Sequence, residues 1–503
     1  MKRIAIISTI AAALTIGVTS CDLDLRPVGT IDPSNALQSL SDAQHLRDGN
    51  YIAFRGRVSS NVTYTGDLAG NLFHASTGFG QRGLTFYNWL MTSADGDAQS
   101  IWSAMYSGIA NLNFFITNAN SCDKSNWSAD DIATLQVYKG EAFFLRAFYH
   151  WMLVEKYCQD YVGNESTYGI PYVTTYDPTS DQTKYPDRGT LSETLGHIYE
   201  DLDSATAYLT TPGAVGSIYL TSDAVKALRA RIALNTGDYQ SAIDNAGELV
   251  NSNRYPLVSD QTAFNAIWGE DSGNEAIIQL DASYPNSLPG GYGYNYVGYD
   301  ANNNLYMPDY IPEQWVIDLF EDGDIRFKAY FQFVTVTLPP GNAESDVYIF
   351  TKFIGNPALK DPNSQGYSGV NKVKPFRISE QYLILAEAYA RNGNNGEAQN
   401  VLNTLRSARG ASPVSGGDIL EEIFNERVRE LMGEGMYWND IKRYHKDIQR
   451  GAAQVDASIY MPSTYTTFHR GWGDHRYVWP IPQEEIDSNP NIANQQNPGY
   501  SGN

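Results

Sequence analysis

The stretch ALRARIALNTGDYQSAIDNAGELV, residues 227–250, reads as a helix with small residues on one face, a break at glycine and a second helix that begins on a small residue. The same plan returns 156 residues later in LILAEAYARNGNNGEAQNVLNTLR, residues 383–406. Ala230, Gly237, Ala242 and Leu249 of the first copy hold the positions of Ala386, Gly393, Ala398 and Leu405 in the second. Alanine at a crossing point lets two helix axes approach closely. A repeated helix–glycine–helix unit with small crossing residues follows the logic of a tetratricopeptide hairpin. The competing explanation is chance similarity between amphipathic helices.

Working outward, YKGEAFFLRAFYHWMLVEKY, residues 138–157, is apolar almost all round with Glu141 and Arg146 embedded in it. Such a helix is buried on most sides. Helices are also expected at 41–54, 97–119, 191–209 and 418–433; in the last, Leu420, Phe424, Val428 and Leu431 form one stripe at helical spacing. Between 255 and 375 Gly, Asn, Pro and Tyr become dense, as in GGYGYNYVGYDANNN, and regular helix gives way to turns. Short strand-like runs remain at Glu275–Leu280, Phe331–Leu338 and Val347–Phe353, and 60–95 has a similar loop-like composition. The expected fold class is therefore mainly α: helical hairpins carrying long loops and short β-hairpins.

At the other end, Lys2 and Arg3 precede an apolar run from Ile4 to Val18, and Val18-Thr19-Ser20-Cys21 follows. The run is short of the about 20 apolar residues that a membrane span needs, so it reads as a secretory signal. A small-residue approach to cysteine resembles a lipobox, which makes Cys21 the expected acylated N-terminus, with an uncleaved anchor or an ordinary signal peptide as alternatives. Several acyl chains give stable attachment where one binds marginally. The formal net charge of −22 removes nucleic-acid binding and electrostatic docking on an anionic membrane from consideration. Cys122 and Cys158 are too few for a disulfide framework, and buried thiols are the commoner state for isolated cysteines. The chain carries 35 Tyr, 9 Trp and 19 Phe, and aromatic faces are the usual platform for sugar rings.

Three motifs in the C-terminal third extend the pattern: FRISEQYLILAEAYARNGNNGEAQNVLNTLRSARG (376–410), NERVRELMGEGMYWNDIKRY (425–444) and YVWPIPQEEIDSNPNIANQQNPGY (477–500). Together with SLSDAQHLRDGNYIAF (39–54) and the cysteine anchor, the chain resembles the SusD/RagB family of outer-membrane nutrient-binding lipoproteins. The resemblance implies a largely helical single body on tetratricopeptide-like units. Its parts would be a lipoprotein signal at 1–20, an N-terminal region at 21–215 and a C-terminal region at 216–503. It also implies a partner, a SusC-like TonB-dependent outer-membrane transporter. Two positions depart from the family pattern, Tyr437 and Ser407, where the family often has arginine; neither is expected to touch the ligand surface.

Those motifs read mostly as structure. Glu422, Glu426 and Glu430 share one helix face and would repel unless Arg427 and Arg429 close them into a helix-surface network. A carboxylate pair for glycoside hydrolysis needs two groups converging across a cleft, not aligned along one helix. Trp438, Trp479, Pro480 and Pro482 are read as packing and chain-direction residues, and Trp102 and Trp315 as core. No nucleophile elbow, phosphate loop, zinc helix or dinucleotide fingerprint is present, so neither an enzyme nor a cofactor is called for. Glu321-Asp322-Gly323-Asp324 lacks the full oxygen ladder of a calcium loop and reads as a turn; His45, His74 and His150 make no metal-ligand spacing.

The binding candidates are aromatics in the glycine-rich loops. Tyr292, Tyr294 and Tyr296 alternate, which would place them on one side of an extended segment, with Tyr299 beyond them and Asn295 or Asp300 as hydrogen-bonding groups. A second set is Phe79, Tyr87 and Trp89, with Asp67, Asn71 and Arg82 as polar companions. Each aromatic has a plain alternative as an anchor of its own loop. The expectation is a surface lipoprotein that binds an oligosaccharide and acts as the lid of its transporter. Peptide or another nutrient held by the same lid is the alternative, and a surface glycoside hydrolase a more distant one.

Overall fold

The computed structural model describes residues 36–500, apart from 79, 81, 292, 340, 456 and 462–467. The signal segment and Cys21 lie outside the described residues. The N-terminal half holds α1 (Leu40–Val58), α2 (Asn61–Ala69), α3 (Gly96–Ser121), α4 (Ala129–Tyr157) and α5 (Leu191–Tyr208). Then come α6 (Ser222–Thr236), α7 (Tyr239–Asn251), α8 (Gln261–Gly269), α9 (Ile378–Arg391), α10 (Asn395–Ala408), α11 (Ile419–Leu431) and α12 (Tyr437–Arg443). The starts are set by local chemistry: Ser39 with Asp42, Ser128 with Asp131 and Thr190 with Glu193 form reciprocal capping boxes at α1, α4 and α5. Among the described residues no helix is long and apolar enough to cross a membrane.

The repeat expected from the sequence is present. Ala230, Ala242 and Leu249 are fully buried, as are Ala386, Ala398 and Leu405. Gly237 and Gly393 each take φ +81°, where a Cβ would be strained, and so end α6 and α9 in the same way. The residue after each glycine caps the next helix: the Asp238 carboxylate accepts from the Ser241 amide and the Asn394 side chain from that of Glu397. The two hairpins then stack, with Ala242 and Ala246 of α7 and Ile384, Leu385 and Ala388 of α9 in one apolar cluster. The fold is mainly α, and its largest core runs from Leu37 to Ile492.

The short strands form a four-stranded sheet and small pairs. β1 is Phe73–Ala75, β2 Ala276–Ile278, β3 Tyr299–Asp300, β4 Leu305–Tyr306, β5 Tyr310–Pro312, β6 Phe331–Leu338, β7 Ala343–Phe350 and β8 Phe376–Arg377. The order β3-β4-β6-β7 makes the sheet, while β1 pairs with β5 and β2 with β8. Three sequence expectations need correction. Strand structure at 275–280 shrinks to Ala276–Ile278, and the run expected at 347–353 is the end of β7, which stops at Phe350. Part of the 60–95 segment is helical: α2 buries Val62, Thr65 and Leu68, and a Cβ on Gly66 would lie 2.7 Å from Trp438 Cβ of α12. Tight packing against α12, absent from any local signal, favours helix there.

The charges of α11 are also placed differently from expectation. Glu426, Arg427, Arg429 and Glu430 are all buried, so the network is interior and not on a helix surface. Arg409 and Arg377 donate to Glu430 Oε1 at 2.9 and 3.0 Å, and Arg326 donates to its Oε2 at 3.2 Å. Glu426 accepts from Arg326 at 2.6 Å, Arg429 at 2.7 Å and Arg406 at 2.8 Å. Burial works against the Glu430 carboxylate, yet Arg409 and Arg377 hold its pKa well below the ordinary carboxylate range. Residues 321–324 form a turn as expected, and Asp324 is taken up by Arg326 at 2.7 Å. Cys122 and Cys158 are both free.

Candidate functional site

The sheet edge brings tyrosines together on one exposed face. β3 and β4 pair antiparallel with Tyr299 directly opposite Tyr306, so both rings project from the same side. Their centroids are 5.0 Å apart, and Tyr367 closes on Tyr299 at 5.3 Å. The loop carrying Tyr367 approaches because Gly366 sits under the Tyr299 ring at φ +76°; a Cβ there would be 2.9 Å from Tyr299 Cδ1. Its far end is tied down by Gly369 N donating to Ile354 O and Asn356 N donating to Val370 O. Tyr294 and Met307 stand exposed beside this group.

Polar groups frame the rings. The Tyr299 hydroxyl donates to Asn304 Oδ1 at 2.6 Å, and Tyr306 and Tyr367 share a 3.5 Å hydroxyl contact. Burial and the neighbouring Tyr367 hydroxyl push the Tyr306 phenol up to about 12, so it stays a protonated donor. Asp300 accepts from Asn302 N and Asn303 Nδ2, which fixes the turn between the strands and holds its carboxyl below the ordinary range. Arg82 pairs with Asp309, three residues beyond Tyr306, and its side chain is 47% exposed. Thus Tyr294 and Tyr299 stand together with Tyr367, and Tyr306 packs against the latter two. Flat rings with a rim of hydroxyls and amides suit a ligand that is apolar on its faces and polar at its edge.

Other sequence candidates belong to the core. Tyr294 and Tyr296 do not alternate along an extended chain, because 294–297 is a single helical turn that exposes Tyr294 and buries Tyr296. Tyr296 stacks on Phe73 at 4.8 Å, and Asn295 is buried as well. Tyr87 is buried with the Arg450 guanidinium 3.5 Å above its ring. Trp89 is buried, its indole N–H donating to Ala69 O at 2.6 Å. Asp67 Oδ2 accepts from Gly433 N at 2.9 Å, and burial lifts its pKa to about 7. Asn71 Oδ1 accepts from the Tyr437 hydroxyl at 2.5 Å, and its amide donates to Gln449 O at 3.0 Å. These residues clasp the α2 region to the C-terminal segments. Tyr437 therefore does touch a residue proposed for binding, but that residue is structural. Phe79 and Tyr292 lie outside the described residues.

Tyr306 and Tyr367 were not singled out from sequence, although each stands in the same Gly- and Asn-rich setting as those that were. Among the described residues no group of His, Cys, Asp and Glu is arranged to hold a metal ion.

Comparison with known proteins covers most of the chain. A family model described as the SusD family matches residues 264–500, and one described as starch-binding associating with outer membrane matches 41–234. SusD-like protein P38 of Formosa agariphila is 22% identical over 99% of this chain and 100% of its own length. A SusD superfamily protein from Bacteroides thetaiotaomicron superposes with a TM-score of 0.76 at 27% identity, over 92% of this chain and 100% of the other. The surface glycan-binding protein A of Bacteroides fluxus shares the fold, with a TM-score of 0.68 at 18% identity over 92% of this chain and 100% of its own.

Proposed function

The chain belongs to the SusD family, and on that premise we propose that it binds an oligosaccharide at the outer membrane through the face built by Tyr294, Tyr299, Tyr306 and Tyr367. The observation that carries the reading is the Tyr299–Tyr306 pair with Tyr367 closing beside it, aromatic area left facing solvent in a protein that buries most of its other rings. Stacking supplies affinity, while Arg82, Asn304 and the tyrosine hydroxyls select hydroxyl patterns. The reading is binding and not turnover, and it is supported by the interior carboxylates Glu426 and Glu430 being already taken up by arginines.

The protein is proposed to be anchored through acylated Cys21 and to act as the lid of a SusC-like TonB-dependent transporter, facing the cell exterior. A lid needs open and closed states of similar free energy and a ligand that prefers the closed one. Calorimetry of the mature chain against neutral oligosaccharides tests the site. Heat with at least one glycan, lost in Tyr367→Ala, is expected. Unchanged binding in Tyr367→Ala and Tyr294→Ala would sink this assignment. For the anchor, Cys21→Ser should move the protein from the membrane fraction to the soluble one.

A further inference from the structure

Beneath the tyrosine face lies a chamber of about 90 Å³. Exposed Gly290 and half-buried Lys372 stand at its rim, and Gly369 borders both this chamber and the small hollow lined by Tyr294, Tyr299 and Tyr367. Its walls hold Lys156 from α4, Arg231 from α6, Trp268 from α8, and Lys374 and Arg377 from the segment entering α9. A single water needs roughly 10–15 Å³ of such space, so the chamber has room for a multi-atom guest.

Three of these cations are matched. Arg231 donates to Glu380 at 2.6 Å, Lys374 to Asp271 at 2.7 Å and Arg377 Nε to Glu434 at 2.9 Å. Lys156 has no such hydrogen bond: its side chain is buried, and the shown contact of Nζ is with the Trp479 ring, 5.5 Å to its centre. Burial works against its charge, and the carboxylates of Glu155 and Asp67 offset this only in part, leaving its pKa below the ordinary lysine value. Trp268 adds a second orphan donor, the buried indole Nε1. Its ring lies 4.4, 5.0 and 5.5 Å from the cationic centres of Lys352, Arg377 and Lys374, which are paired with Glu434 and Asp271, and Glu155 also lines the chamber. A buried ammonium without a hydrogen-bond acceptor is destabilising, whereas hydrogen bonds to an ionised acceptor are the strong ones.

We propose that this chamber is a binding site for a small carboxylate, held by Lys156 Nζ and Trp268 Nε1. The carboxylate belongs either to a free small acid or to an acidic sugar entering from the tyrosine face. In the second case the inference rests on the glycan-binding reading; in the first it stands alone.

Thermal unfolding of the mature chain in sodium acetate, against sodium chloride at equal ionic strength, tests the site. Wild type is expected to gain Tm with acetate. Lys156→Met, which keeps side-chain length and removes the charge, is expected to unfold at a higher temperature than wild type without acetate and to gain nothing from it. Trp268→Phe keeps a ring, removes the N–H, and should weaken the apparent acetate affinity roughly tenfold. Calorimetry separates the sources. A uronate-bearing oligosaccharide that binds wild type more tightly than its neutral counterpart, with the advantage gone in Lys156→Met, identifies the acidic sugar. Acetate stabilisation without that advantage identifies a free acid. Neutral-glycan binding, lost in Tyr367→Ala and kept in Lys156→Met, reports separately on the tyrosine face. The proposal is overturned if acetate does not raise the wild-type Tm, which leaves a chamber for water only, or if both variants respond as wild type does.

Discussion

The interior of the C-terminal half and the tyrosine face are both dense in groups usually associated with function, and they use them in opposite ways. Around α11, Glu430 takes hydrogen bonds from Arg326, Arg377 and Arg409, and Glu426 from three arginines as well. At β3 and β4, half-buried Tyr299 and Tyr306 pack against each other and against exposed Tyr367, so part of their aromatic area stays open to solvent. Charged residues in a conspicuous motif thus mark the frame, while unsatisfied aromatic area in an irregular loop marks the site. The distinction lies in satisfaction, not in residue type: a buried charge whose partners are all internal has nothing left to offer a ligand.

Breaking the frame should have the largest effect. Glu430→Ala leaves Arg326, Arg377 and Arg409 facing an empty position and is expected to cost ~3–5 kcal/mol in urea unfolding, since removing one member of a buried ion network leaves uncompensated charge behind. A loss below ~1 kcal/mol would mean that water reaches the arginines and that the two regions do not differ in how their charges are satisfied.

A pH titration of the frame comes next. Glu387 is fully buried; burial opposes its charge, but Arg443, Arg427 and Arg391 bring its pKa down to about 2 from the ordinary 4.5. With the folded value below the unfolded one, the unfolded chain binds more protons between the two. The contribution is therefore complete above pH ~4.5 and lost as pH falls toward 2, up to ~3 kcal/mol in all. Stability measured from pH 6 to pH 2 should fall along this limb, and Glu387→Gln should flatten it.

Overpacking a hairpin crossing is milder. Ala386 is fully buried in the apolar cluster of α9, α10 and α11, so Ala386→Leu should cost ~1–3 kcal/mol by chemical denaturation. The same change at Ala230 should cost about as much if the two hairpins are equivalent, and a clear inequality would show that they are not.

The hairpins were legible in the sequence because their signal is local: helical spacing, alanine at the crossing and glycine at the break lie within about two dozen residues. Most helix limits followed within a few positions for the same reason, but α4 begins at Ala129, well before the apolar stretch from Tyr138 that announced it. Which face a loop residue takes was not legible, because that depends on partners far along the chain. Trp89 is buried because Ala69 O, Trp438 and Tyr477 surround it, and Asp67 because Gly433 meets it. Alternation of Tyr294 and Tyr296 gave the wrong geometry because the segment turns helically between two glycines, Gly293 and Gly298. Arg82 is held by Asp309, and the pairing of β1 with β5 links the segments on which the two residues lie.

The smallest effect on stability should come from the face itself, and there the comparison is sharpest. Tyr367 is 38% exposed and touches Tyr299 and Tyr306 at its edge, so Tyr367→Ala removes little buried area and should change unfolding by no more than ~0.5 kcal/mol. Its effect on binding should run the other way. Aromatic contacts that exclude water on a ligand dominate recognition energy, and truncating one costs ~1–2 kcal/mol, roughly five- to thirtyfold in affinity. Paired measurements of Tm and glycan affinity on Tyr367→Ala and Tyr306→Phe decide the matter. Tyr306→Phe keeps the ring and loses only the hydroxyl, so it should retain most of the affinity if stacking carries the binding. An equal loss from both variants would shift the weight from ring faces to the Tyr306–Tyr367 hydroxyl pair. A drop in Tm comparable to that of Ala386→Leu would place Tyr367 in the frame and erase the difference between the two regions.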